Sequence, residues 1–277
     1  MQDDGLFGPD SITWRVHMEP ILWIGGFRAL LLQALHPRTM RGTAQNSMLM
    51  DPREAMGRFE RTTEFVTIRT YGTLAEVERA GRRVRKLHGK LTAYDPDTDS
   101  TFRIDEPEGL LWVHCGEIDS YVDVALRSGV LTAEEADRYV AESRRAAEVV
   151  GIPAADAPGS VAELRDYHTE MRPRIYACEE ARRGLWRMIN PAVPRDRLAL
   201  KLAAPPLATL AFSTLPRWAR RMYGFPALPT TDLSTTLTLR ALRRSARLLP
   251  EMQGPEHMER ARRRMREHAE AQAAAAA

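Results

Sequence analysis

The chain has almost no lysine. Of its 40 basic residues only Lys86, Lys90 and Lys201 are lysines, and the other 37 are arginines. Set against 37 acidic residues they leave a formal charge of +3, with no concentrated excess of positive charge, which excludes a dedicated nucleic-acid binder. Cysteine is equally scarce: Cys115 and Cys178 make neither a disulfide framework nor a four-cysteine metal site. No apolar run reaches the roughly 18 uncharged residues of a membrane span; the longest, 21–35, is interrupted by Arg28 and ends in His36-Pro37. The acidic segment 1–10 lacks the basic-then-apolar design of a signal peptide, so a cytoplasmic location is the expectation. Gly-x-Gly-x-x-Gly, a phosphate-loop lysine motif and Gly-x-Ser-x-Gly are all missing, which leaves nucleotide binding and Ser/His/Asp hydrolysis without support.

What is present is the punctuation of helices. Hydrophobic residues make up 44% of the 277, enough for a buried core. Asp51-Pro52-Arg53-Glu54 reads as an N-cap, a first-position proline and a reaching glutamate, opening a helix to about Thr70. Thr73-Leu74-Ala75-Glu76 caps a second helix to about Leu91, and Thr132/Glu135 and Ser160/Glu163 repeat the signature. Strand-like alternation and Asn-Gly or Asp-Gly turns are nearly absent, so the expected class is all-α. Proline, glycine and aspartate place loops at 94–109, 151–160, 190–194 and 225–231, and Pro205-Pro206 and Pro216 break 198–215 into short kinked helices. The expected layout is one domain over 14–250, an extension over 1–13, and a charged helix over 251–277 whose alanine tail has no apolar face to bury and frays.

Three histidines fall on apolar helical stripes. Val84, Leu87, His88 and Leu91 follow i, i+3, i+4, i+7 spacing; Leu111, His114, Ile118 and Tyr121 form another stripe; Leu31, Leu32, Leu35 and His36 form a third, ended by Pro37. One such histidine is ordinarily a hydrogen-bonded core residue, but three on separate helices imply something polar, metallic or catalytic between them. Arg58 and Thr62 share a helix face. Two readings stand for them: a surface ion pair with Glu54 beside a threonine bonded to its own helix, or a lining for that polar space. The single reversed motif His114-Cys115-Gly116-Glu117 is a thin basis for a di-iron site. The arginine pairs 182–183, 220–221 and 243–244 read as solvated helix faces.

An ordered set of these motifs resembles a known family. Leu30-Leu31-Leu32-Gln33-Ala34-Leu35-His36-Pro37 is followed by Asp51-Pro52-Arg53, Arg58-x-x-x-Thr62 and Tyr71-Gly72-Thr73. Val84-Arg85-Lys86-Leu87-His88-Gly89, Tyr94 and Leu111-Trp112-Val113-His114 complete it. In order and spacing this resembles the MpaB-like oxygenase family, which includes the latex-clearing proteins, or rubber oxygenases. The resemblance implies an all-α, globin-reminiscent domain enclosing one haem b, and oxidation of a hydrophobic small molecule with O₂ or peroxide. It implies that His88 is the proximal iron ligand and that Arg58 and Thr62 line the haem pocket, with His36 and His114 on the distal or propionate side. The distal lysine of rubber oxygenases has no counterpart ahead of Arg58, because the first lysine is Lys86. Water, His36 or His114 is left for that position, and an acidic general base falls to Glu117 or Glu60. Two rivals stay open: a haem carrier or sensor with histidines on both sides of iron, and a metal-free helical binding protein. Oligomeric state is open as well.

Overall fold

The computed structural model describes residues 3–46, 52–191, 198–248 and 254–276, with the side chains of 52–56, 198–200 and 276 left aside. Among them thirteen α-helices surround one main apolar core. The first five are α1 (Ile12–His17), α2 (Leu22–Gln33), α3 (Pro37–Asn46), α4 (Pro52–Tyr71) and α5 (Leu74–His88). A hairpin of β1 (Thr92–Asp95) and β2 (Ser100–Arg103) precedes α6 (Pro107–Ser128), α7 (Ala133–Val149), α8 (Val161–Met171) and α9 (Glu179–Ile189). The chain ends with α10 (Leu198–Thr214), α11 (Arg217–Met222), α12 (Pro229–Ala246) and α13 (Glu256–Ala276). No described helix is long and apolar enough to cross a membrane.

Local chemistry accounts for the helix starts. Thr73 and Glu76 form both halves of a capping box on α5, and Thr132 and Glu135 do the same on α7. At α8, Ser160 accepts from the Glu163 N–H while the Glu163 carboxylate reaches back to the Gly159 N–H at 2.8 Å. The cap expected from Asp51 and Glu54 lies outside the described residues, as does much of the loop at 190–194.

The core is organised around α2 and α6. Gln33 donates to the Val113 carbonyl at 2.9 Å, and the Trp112 indole donates to the Gln33 carbonyl at 2.9 Å. Gly25 lets the backbones approach: a Cβ there would stand 2.9 Å from the Tyr121 ring and 3.2 Å from the Ser120 carbonyl. The buried guanidinium of Arg28 crosses the same seam, donating to Ser120 Oγ at 2.7 Å and the Thr214 carbonyl at 3.2 Å, and pairing with Asp119 at 2.7 Å. The α4 helix stands apart from α2 and α6 and meets them through long side chains, with Phe59 stacked on Phe27 and Arg69 paired with Glu117.

Four expectations are corrected. The 94–109 segment is not all loop but carries the hairpin, which has no Asn-Gly turn. Instead the buried Asp95 carboxylate accepts from the Asp97 N–H at 3.3 Å and the Thr98 hydroxyl at 3.1 Å, while Ala93 and Phe102 pair toward the core. Pro205 and Pro206 do not break α10; the carbonyls they leave without donors belong to the exposed Lys201 and Leu202, where water takes them. The alanine tail does not fray, since the C-terminal helix runs to Ala276; the tail is exposed as expected, and the packed side lies ahead of it, with Met258, Ala261 and Met265 against Trp14 and Tyr71. Finally, α2 stops at Gln33, and Pro37 opens α3.

Because Gly25 sits against an aromatic ring and a carbonyl, Gly25→Val should force the central pair apart. The expected loss is about 1–3 kcal/mol, read as a lower urea midpoint at unchanged slope.

Candidate functional site

Arg58 projects from α4 and His88 is the last residue of α5. Both side chains are partly buried, and each carries a buried polar atom with no hydrogen-bond partner among the described residues: Nη1 of Arg58 and Nδ1 of His88. The two are electrostatic neighbours. Burial lowers the His88 imidazole below its ordinary value, the Asp105 carboxylate opposes this, and the Arg58 cation adds to it. His88 is therefore a neutral imidazole at physiological pH. Burial also disfavours the charge of Arg58, as does the neighbouring Arg61, and Arg58 forms no ion pair among the described residues. A partly buried guanidinium with no ion pair among the described residues can accommodate an anionic group.

Thr62 lies one turn beyond Arg58, is exposed, and donates to the Arg58 carbonyl at 3.0 Å, the self-bonded arrangement. Aromatic rings join α4 to α2 beside Arg58 in sequence. Phe59 stacks on Phe27 with ring centroids 5.9 Å apart and lies 6.1 Å from Trp23, which is 52% exposed.

The other two histidines lie elsewhere. His36 is buried at the start of α3, where Nδ1 accepts from the Thr39 N–H at 3.2 Å and Nε2 faces Glu108 at 3.3 Å. Both ring nitrogens are thus engaged, one of them as a helix cap. His114 belongs to a buried network in which Arg69 holds Glu117 through bonds of 3.1 and 2.5 Å. His17 joins from α1, its Nε2 3.0 Å from the Tyr139 hydroxyl and its ring 4.6 Å from that of Tyr121. Burial would raise the Glu117 carboxyl, but Arg69 outweighs it and keeps it ionised and occupied. Sequence reading grouped the three histidines, set Tyr121 on the His114 stripe and Arg69 near the Arg58–Thr62 face without joining them, and missed His17 and Tyr139. The available signal was Arg69 on the Arg58–Thr62–Phe65 face, three turns on.

Among the described residues no three His, Cys, Asp or Glu side chains are grouped to hold a metal ion, so the di-iron reading has no donor set there. Residues 14–249 match the family model described as "ER-bound oxygenase mpaB/B'/Rubber oxygenase, catalytic domain". No curated protein and no solved structure matches the chain.

The network carries an acid sensitivity. Burial first, then Arg69, depress His114 from 6.5 to about 4 against the opposing pull of Glu117. The unfolded chain takes this proton first, so stability present above pH 6.5 is lost as the pH falls toward 4. The shift corresponds to about 3 kcal/mol. Urea titrations in that window should show a shallower acid loss for His114→Gln than for the native chain; identical acid limbs would contradict it.

Proposed function

The chain belongs to the mpaB/rubber oxygenase catalytic-domain family, and on that premise we propose that it is a haem b-dependent oxygenase of a hydrophobic small molecule. The observation that carries this reading is that Arg58 and His88 are electrostatic neighbours, each with a buried atom, Nη1 and Nδ1, that has no partner among the described residues. A neutral imidazole and a guanidinium with no ion pair among the described residues suit iron and a haem propionate, so the residues fit the group.

In this reading His88 presents a lone pair to iron from the end of α5. Burial keeps that nitrogen unprotonated, and the Asp105 charge beside it strengthens it as a donor. Arg58 would bind a propionate, a counter-anion that the described residues do not supply. Thr62 keeps its hydroxyl oxygen one turn away on the same face. Bound there, haem b supplies an iron centre that activates O₂ or peroxide. Trp23, Phe27 and Phe59 hold an apolar substrate beside it and exclude water.

His36 is not an iron ligand on this view, since both its nitrogens are taken. That favours the oxygenase over a carrier with His36 opposite His88. Glu117 is engaged by Arg69 and serves the fold rather than proton abstraction.

Protein produced with ample haem should show a Soret band, and His88→Ala should abolish it. His36→Gln should preserve it. Arg58→Leu should weaken haem retention about tenfold or more, the worth of one charge-assisted hydrogen bond. Purified protein without a Soret band would overturn the proposal.

A further inference from the structure

A second cavity lies on the opposite side of α6 from the Glu117 network. It has a volume of about 320 Å³ and is walled by α6, α8 and the start of α11. That volume suits one small organic molecule. Val122, Leu126, Val161, Pro216 and Trp218 make its apolar lining.

Its polar groups are unequally satisfied. The two carboxylates are taken: Asp119 pairs with Arg28 at 2.7 Å, and Asp123 pairs with Arg127 at 3.1 Å and Arg28 at 3.7 Å. Burial raises the Asp123 carboxyl against the opposing pull of Arg28 and Arg127. Arg165 and Arg172 also line the cavity, are exposed, and form no ion pair among the described residues. Arg172 lies over the Trp218 ring, 5.5 Å from its centroid. The inner wall holds His168, which is 4% exposed. Its Nδ1 faces Asp119 at 3.8 Å, and its Nε2 is buried without a hydrogen-bond partner.

These positions define a ligand. Two free guanidinium groups at the rim ask for a carboxylate, and the indole beneath Arg172 offers a flat apolar surface. Burial keeps His168 neutral. His168 has a backbone hydrogen bond to Leu164, and with that proton on Nδ1 the unpartnered Nε2 is an acceptor, which asks for a hydroxyl. We infer that this cavity binds a small aromatic carboxylic acid bearing a hydroxyl group, with its acid on Arg165 and Arg172 and its hydroxyl donating to His168 Nε2. The site owes nothing to the Arg58–His88 pair.

Calorimetric titration of the full chain with 4-hydroxyphenylacetate, phenylacetate and 4-hydroxyphenylacetamide tests it. The hydroxy acid should bind saturably, the amide about tenfold or more weaker and the deoxy acid several-fold weaker. The double variant Arg165→Ala/Arg172→Ala, altered only at exposed positions, should bind acid and amide alike. His168→Phe should lose the hydroxyl preference and keep the acid preference. No saturable binding at millimolar concentration, or undiminished acid binding by the double arginine variant, would overturn the inference. Equal binding of the hydroxylated and deoxy acids by the native chain would overturn the role of His168.

Discussion

A buried arginine at the middle of the molecule sets the terms for everything around it. Arg28 is 2% exposed and spans the α2–α6 seam, reaching Ser120, Asp119, Asp123 and the Thr214 carbonyl of α10. A charge so deep is tolerable only because each of its nitrogens has a partner. The cost of leaving any partner unpaired fixes the rotation of α6 about its axis. Gly25, one turn earlier, permits the close approach that brings those partners within reach.

That rotation divides the faces of α6. His114, Glu117 and Tyr121 turn toward α1, α4 and α7, where Arg69 and His17 meet them. Asp119, Val122, Asp123 and Leu126 turn toward α8 and α11 and wall the second cavity. One ion pair therefore underlies two polar regions of different character. In the first, Glu117 is held by Arg69. The second retains an imidazole nitrogen without a hydrogen-bond partner and two guanidinium groups without an ion pair among the described residues.

The α4 helix has a different relation to the core. It is held at its C-terminal end by Arg69 and by the packing of α13 against it, while its Arg58 end touches α2 through aromatic rings.

Much was legible in the residues themselves. Capping pairs such as Thr73/Glu76 and Thr132/Glu135 announce helix starts because both donor and acceptor lie within one turn. The Arg58-x-x-x-Thr62 spacing is local too, and the ordered set of motifs marks the family. What distance along the chain concealed was which histidines share a space. His36, His88 and His114 all lie on apolar stripes, yet only His88 keeps a buried ring nitrogen free beside Arg58. His36 became a cap because Pro37 starts a helix instead of merely ending one, and its second nitrogen found Glu108 seventy-two residues away. The hairpin turn depends on a buried Asp95 carboxylate, and the C-terminal helix on Trp14 and Tyr71, contacts with no local signature. The sequence by itself determined the helices, the family and the candidate pair, since these rest on spacings within a few turns. Tertiary structure decided which polar atoms go unpaired, because that depends on where distant segments come to rest.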